Sequence, residues 1–493
     1  MLLKDLLSAE HFIGECPNVE FSRISRSPND CDDSALFCLI GRSFNEKDFI
    51  SKAVENGAGI IVTDIAPDAC DIPVAVVKNA RRAYAFACSA LCGEPQGDMH
   101  IYGITGTNGK TSTSYFVHSL LEYCGIRNAL IGTTGIIADG ERIPFPPEDS
   151  GVSQMTTPDP EVLYSLLSEL KRKGIYHVVM EVSSHSLVLH KVDPIMFDVA
   201  LFTNFSQDHL DFHKTKEEYL AAKMRLASLA CKCIYNADDA TFFDIFKTKR
   251  SVSYGTEKAD YTACCVRNYG VNGVSYLLKY FGAVMRIESP IGGSFTVTNT
   301  LAACALGVEI GIYPETVCDA ISAVRGIPGR LESIPLDKTK YPFSVMIDYA
   351  HTPEALDKLL SSDVFAKRCG RLITLFGCGG DRDRTKRSIM GRISAKYSDK
   401  IYITSDNPRT EDPIRIIEDI IEGLDEKDDY TVIADREQAI VEAFGECKKG
   451  DILLLVGKGH ESYILDKSGR RHFSEREIIE NAAAGKYKKG YNK

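Results

Sequence analysis

Residues 101–125 read IYGITGTNGKTSTSYFVHSLLEYCG, and the fold follows from how this stretch divides. Ile101 to Ile104 is a short apolar strand. Gly106-Thr107-Asn108-Gly109-Lys110-Thr111-Ser112 forms a glycine-rich turn, and the run after it carries helical spacing closed by Gly125. A strand, a glycine loop and a helix start together make a phosphate cradle. The glycines let backbone N–H groups converge, and the helix N-terminus adds positive partial charge. Lys110 can reach the β- and γ-phosphates, and the Thr111 hydroxyl can ligate Mg²⁺. The spacing departs from the general G-x-x-x-x-G-K-[ST] pattern, since Ile104 stands where that pattern has glycine. A glycine turn before a helix is often only a turn, but Gly-Lys-Thr directly after a strand favours nucleotide binding.

Working outward, the rhythm is α/β on both sides. Upstream, ALFCLI, GIIVTDI and PVAVVK alternate with the helical runs DFISKAVENGA and ARRAYAFACSALCG, with no phosphate loop among them. GEPQGD (93–98) is a polar Gly/Pro break. Downstream come the strands NALIGT, YHVVMEVS, DVALFTNF and CIYNAD, with helices between them, and then a period-two stretch at 251–290 expected to be antiparallel. A second break falls at IPGR (327–330), and SVMIDYA, RLITLFG, KIYITSD, YTVIAD and DILLLVG then resume the alternation. The expectation is a three-domain α/β protein. It has an N-terminal unit at 1–97, a central P-loop-type ATPase with a mostly parallel sheet at 98–329, and a Rossmann-like C-terminal unit at 330–493. A chain of 493 residues is too long for one core, which agrees.

The net charge is −10 and no long basic tract occurs, which argues against nucleic acid as partner. Asp5 and Glu10 interrupt the apolar N-terminus, and no apolar run approaches the roughly 20 residues that span a bilayer, so neither a signal peptide nor membrane insertion is expected. A cytoplasmic location is. The 16 cysteines lack CxxC spacing and read as small, reduced, largely buried residues rather than a metal site.

ATP chemistry needs a hard cation held by oxygen ligands with some imidazole. Two later strand ends carry such groups: Glu181 in MEVSSH, and Asp208, His209, Asp211 and His213 in NFSQDHLDFH. Ligands gather at the carboxyl ends of strands in open α/β sheets, so these positions favour function over surface polarity.

GITGTNGKTS, MEVSSHSL, NFSQDHLDFH, YLAAKMRL, IPGRLE, IDYAHTPEAL, GCGGDRD and VGKGHE follow one another in this order. The ordered set resembles the Mur ligases of peptidoglycan synthesis, and within them the branch that adds the third residue to UDP-MurNAc-L-Ala-D-Glu. The resemblance implies ATP, two Mg²⁺ sites and an acyl-phosphate mechanism. It implies Lys110, His209 and Lys223 as catalytic residues, with Lys223 carrying a CO₂-derived carbamate. Thr111, Glu181, His209 and that carbamate would be metal ligands. It implies nucleotide contacts from Gly106 to Ser112 and from Asn299, Arg330, Asp348 and His351. Thr296 stands where the family usually has Asn. The UDP-muramoyl peptide would meet Ser27 in ISRSPND, Thr156 and Thr157 in MTTPD, Ser183, and Lys191, where the family commonly has Arg. The incoming amino acid would meet Arg382, Asp406, Asn407, Pro408, Arg409, Gly457 and Glu461. The arginine of DNPR (406–409) matches the version that adds meso-diaminopimelate, since a guanidinium can grip that molecule's second carboxylate. L-Lysine is the nearest alternative, and a folylpolyglutamate synthetase-like ligase or a non-catalytic nucleotide-binding scaffold are the others. A monomer is expected.

Overall fold

The computed structural model describes residues 1–37, 46–67, 69–143, 155–206, 208 and 210–487. Two compact units emerge from its internal contacts: residues 1–254 with 305–311, and residues 255–304 with 312–493.

In the first unit, Arg23–Ser25, Ser34–Phe37, Ile60–Thr63 and Val74–Val76 form a four-stranded sheet in sequence order, every pair parallel. The helix Ala80–Leu91 covers it, capped by the Asn79 side chain, which accepts from the Arg82 N–H. A larger sheet follows. Its central strand, His100–Thr105, lies between His177–Glu181 and Phe197–Phe202, parallel to both. Ala230–Asn236 and Val252–Gly255 extend one side, and Asn128–Gly132 the other, all parallel. The interior strands are near-continuous apolar runs because both faces are covered by helices. The sequence missed the two antiparallel edge strands, Gly135–Ala138 and Glu141–Ile143, whose short runs carry weak alternation.

Register positions the site. Glu181 lies opposite Ile104, and Phe202 lies opposite Thr105. The residues that follow each strand therefore reach the glycine loop at one level.

In the second unit, Tyr261–Asn268, Val274–Tyr280 and Ala283–Ser289 pair antiparallel, as the period-two pattern predicts. A six-stranded sheet runs in the order Glu332–Ser333, Ser344–Asp348, Ile452–Val456, Leu372–Phe376, Lys400–Ile403, Tyr430–Val432. It is parallel except at its first pair. Alternation along Ile452–Val456 shows how both faces are filled. Ile452, Leu454 and Val456 join one core and Leu453 and Leu455 the other. A hairpin of Tyr463–Asp466 and Gly469–His472 lies beyond the last parallel strand in sequence. Among the described residues, no helix is long and apolar enough to cross a membrane. The described cysteines are free thiols. Cys31, Cys88, Cys304, Cys318 and Cys378 are buried, but Cys231, Cys265 and Cys369 are exposed, so burial accounts for only part of the set.

Candidate active site

The helix Lys110–Tyr123 begins directly after Gly109, as the sequence predicts. Gly106 has φ +145, and a Cβ there would strike the Thr203 hydroxyl, so only glycine fits. The loop is bolted to the end of Phe197–Phe202. The Thr203 hydroxyl donates to the Asn108 carbonyl at 2.6 Å, and the Asn108 N–H donates to the Asn204 side chain at 3.0 Å. Thr107 N–H donates to the Asn204 carbonyl at 2.8 Å. Lys110 Nζ folds over the turn, donating to the carbonyls of Gly106 at 3.0 Å and Thr107 at 2.9 Å.

Glu181 is fully buried beneath the loop. Its carboxylate accepts from the Thr111 hydroxyl at 3.0 Å, the Thr133 N–H at 2.9 Å and the Thr133 hydroxyl at 3.1 Å. Gly132 makes the room: a Cβ there would occupy the space of that carboxylate. Thr111 and Glu181 thus offer two hard oxygen donors at the phosphate loop, a set that suits Mg²⁺. His209 lies outside the described residues, as do the side-chain surroundings of Asp211. His213 turns to the Ser184 hydroxyl at 2.8 Å instead, and Asp208 is exposed.

Lys223, on the helix Lys216–Ser228, is 1% exposed. Its Nζ donates to the Gly106 carbonyl at 2.8 Å and lies 4.4 Å from the centre of the Tyr219 ring. Burial, and then the Lys110 cation, pushes this ammonium well below the ordinary lysine range, against the pull of Asp208.

Thr156, Thr157 and Ser183 gather beside Glu181. Thr156 and Thr133 hydroxyls lie 3.1 Å apart, and the Thr157 hydroxyl donates to the Glu181 carbonyl at 2.9 Å. The Ser183 side chain caps the helix Ser184–Val188, accepting from the Ser186 N–H. Lys191 is buried and paired with Asp159 at 2.7 Å. Arg26 also reaches Asp159, at 3.1 Å, and Glu161, at 2.6 Å, tying the N-terminal sheet to this cluster. Ser27 is not part of that cluster; its hydroxyl accepts from the Asn29 N–H at 3.3 Å, within its own turn.

The remaining predicted residues belong to the second unit. Asn299 lies on the helix Ser294–Glu309, where Thr296 is buried and donates to the Gly292 carbonyl at 2.8 Å. Arg330 stacks its guanidinium 5.5 Å from the Tyr349 ring centre. Asp348 accepts from the N–H groups of Leu331 at 2.8 Å and Ala350 at 2.9 Å. Burial raises its carboxyl above the ordinary range.

The carboxyl ends of four parallel strands in that sheet surround a cavity of about 670 Å³. His351, Arg382, Asp406, Asn407, Arg409, Gly457 and Glu461 all line it. Arg409 has φ +54, and its Nη1 donates to the Gly380 carbonyl at 2.8 Å. Asn407 Nδ2 donates to Glu461 at 2.9 Å. Burial opposes a charge on Asp406, yet Lys458 and Arg436 hold its carboxyl below the ordinary range. The cavity thus presents cations near Arg409 and carboxylates near Asp406 and Glu461, which suits a molecule carrying both charges.

The Mur ligase middle domain matches residues 104–307, and the Mur ligase glutamate ligase domain matches residues 329–459. UDP-N-acetylmuramoyl-L-alanyl-D-glutamate–2,6-diaminopimelate ligase 1 of Clostridium acetobutylicum is 40% identical over 468 residues, covering 94% of each chain. The chain belongs to the Mur ligase family. The Clostridium tetani ligase of the same name, without the numeral, is 37% identical over 94% of this chain and 93% of its own. A solved diaminopimelate ligase of that name superposes with a TM-score of 0.68 at 27% identity, covering 99% of both chains.

In this Mur ligase the phosphate-loop residues, Thr111, Glu181 and Lys223 converge, as do Thr156, Thr157 and Ser183, and the seven amino-acid-site positions surround one cavity or its loop. Sequence reasoning missed Thr133, Asp159, Arg26, Thr203, Asn204 and Lys458. Arg26, Asp159, Asn204 and Lys458 stand within the motifs ISRSPND, MTTPD, NFSQDHLDFH and VGKGHE, and Thr133 and Thr203 within NALIGT and DVALFTNF. Their contacts depend on which elements are neighbours, which no local pattern carries.

Proposed function

We propose that this Mur ligase uses ATP to join meso-2,6-diaminopimelate to the D-glutamate carboxylate of UDP-MurNAc-L-Ala-D-Glu, a step of peptidoglycan precursor synthesis. The observation that carries the reading is Arg409. Only its Nη1 is engaged with backbone carbonyls, while its Nε and Nη2 make no hydrogen bond among the described residues. It lines one cavity with Asp406 and Glu461. A guanidinium there offers two parallel donors to a carboxylate that lysine lacks.

The chemistry follows from charge. The acceptor carboxylate oxygen attacks the γ-phosphorus, an O–P bond forms, the bond to the β-phosphate oxygen breaks, and ADP leaves. The neutral amine then attacks the acyl carbon. The tetrahedral intermediate expels phosphate with the C–O electron pair, and the nitrogen loses its proton. Lys110 and the backbone N–H groups of the loop offset negative charge on the phosphoryl oxygens. Thr111 and Glu181 would hold Mg²⁺, with His209 and a carbamate on Lys223 as the additional ligands, and the ion would supply further neutralisation of phosphate charge. A lysine this deeply buried and shifted toward its neutral form is primed to take up CO₂. Asn299, Arg330, Asp348 and His351 bind the nucleotide, and Ser27, Thr156, Thr157, Ser183 and Lys191 the UDP-muramoyl peptide. Three domains, 1–97, 98–329 and 330–493, divide these tasks. The enzyme works as a cytoplasmic monomer.

An ADP-release assay with UDP-MurNAc-L-Ala-D-Glu and an amino-acid panel tests the reading. Release is expected to depend on diaminopimelate, with kcat/KM at least about 10²-fold above that for L-lysine. Equal rates with the two amino acids would overturn the specificity, and release driven only by a folate acceptor would overturn the reaction.

A further inference from the structure

Lys458 occupies the middle of the amino-acid site without lining its cavity. Its side chain is 0% exposed. The ammonium donates to Asn407 Oδ1 at 3.0 Å and to Glu461 Oε2 at 3.2 Å, and lies 3.8 Å from Asp406 Oδ1. We propose that Lys458 is a positioning residue for the incoming amino acid: it orients the Asn407 amide and fixes the Glu461 carboxylate, with one carboxylate oxygen left for a substrate ammonium. The proposal rests on the amino-acid site assigned above.

Three observations carry it. First, Asn407 Oδ1 accepts from both Lys458 Nζ and the Leu465 N–H, the latter at 2.9 Å. Two donors on one atom fix which end of the amide is oxygen and turn Nδ2 toward Glu461. Second, Glu461 Oε2 is taken by Asn407 and Lys458, whereas Oε1 accepts no hydrogen bond among the described residues. Third, the local charges need this cation. Asp406 and Glu461 are two carboxylates on one cavity wall. Arg436, the other buried cation near Asp406, is paired with Glu475 at 2.7 Å and spends its remaining donors on the carbonyls of Ser405 and Val456. Glu475 also feels Lys458 from beneath. The other charged or titratable groups facing the site are Tyr349, His351 and Glu354 after Ser344–Asp348, Arg382, Asp383 and Lys386 after Leu372–Phe376, Arg409 from the DNPR loop, and Tyr463 and Arg470 from the hairpin. Aromatic rings of Tyr463 and Phe473 wall the ammonium at 5.7 and 6.0 Å. Lys458 is therefore the cation that joins Asn407 and Glu461 in one network and, with Arg436, holds the Asp406 carboxyl below its ordinary range.

Lys458→Met in the full-length enzyme tests this through the pH profile of kcat/KM for diaminopimelate. KM for diaminopimelate is expected to rise about 10- to 100-fold with kcat and the KM for ATP little changed, and the acid limb to move up by about one pH unit or more, because Asp406 without that cation holds its proton to higher pH. The sign is fixed: the lowered Asp406 carboxyl loses its charge as pH falls, so the variant fails first on the acid side. Should Lys458→Met not fold, Lys458→Gln keeps a donor to Asn407, removes the charge, and is expected to move the same limb. An acid limb that stays in place, or KM values for ATP and diaminopimelate that rise together, would overturn the proposal and leave Lys458 a structural residue. A wild-type enzyme that rejects diaminopimelate but uses lysine would sink the specificity reading alone. The same comparison then runs with lysine, whose side-chain ammonium poses the same demand.

Discussion

Lys223→Met is expected to lower kcat by about 10³-fold or more, about 4 kcal/mol of transition-state stabilisation, while the protein stays folded. The two halves of that expectation have separate causes. Methionine matches the length and apolar stem of a side chain that is 1% exposed, and it removes a buried amine. Its structural cost is therefore one hydrogen bond to the Gly106 carbonyl and the contact of the amine with the Tyr219 ring. Under the proposed mechanism catalysis loses far more, because CO₂ would convert this amine from a poor base beside Lys110 into an anionic oxygen donor near the phosphate loop. The shift of Lys223 toward its neutral form gives the sign of the accompanying pH dependence. As pH falls through its lowered value the amine protonates, CO₂ uptake stops, and activity is lost on the acid side. Wild-type enzyme in bicarbonate-free buffer is expected to lose activity and regain it on adding bicarbonate, and the variant to respond to neither. Melting curves of both proteins separate the outcomes. Full activity in the variant would remove Lys223 from the mechanism.

Arg409→Ala is expected to lower kcat/KM for diaminopimelate by about 10²- to 10³-fold while changing the slow reaction with lysine little, so that discrimination collapses. Both residues carry a Cβ, so the strain of φ +54 is common to wild type and variant and cancels. The lost bonds from Nη1 to the Gly380 and Asn407 carbonyls are the structural side effect, and an unchanged KM for ATP would bound it. Arg409→Lys is expected to recover little, because an ammonium keeps the charge but not two parallel donors. Discrimination that survives in Arg409→Ala would place the distal carboxylate elsewhere, with Arg382 the next candidate.

What could be read from the chain before its structure depended on whether the information was local. The phosphate loop was legible because strand, glycines, lysine and helix start are contiguous. Glu181 was legible as a strand end. Lys223 was legible only as part of YLAAKMRL, since nothing in one helical lysine announces that the helix buries it. Thr203 and Asn204 clamp the loop across almost a hundred residues, and Gly132 is small because Glu181 needs its space; both facts follow from strand order. The hairpin Tyr463–His472 was missed, yet its Leu465 backbone holds Asn407 and Arg409 at 2.9 and 3.0 Å. Lys458 lies within VGKGHE, but nothing in a glycine-flanked lysine announces that it is buried.

The transfer of a phosphoryl group to the acceptor's own carboxylate is the claim on which the rest depends, and oxygen tracing tests it most directly. UDP-MurNAc-L-Ala-D-Glu labelled with ¹⁸O in the reacting carboxylate is turned over with ATP and diaminopimelate, and the inorganic phosphate is analysed by mass spectrometry. The account predicts one ¹⁸O in each phosphate released, carried over through the acyl phosphate, and one labelled oxygen left in the amide. Phosphate without label would mean that water, not the carboxylate, accepts the phosphoryl group, and would contradict it.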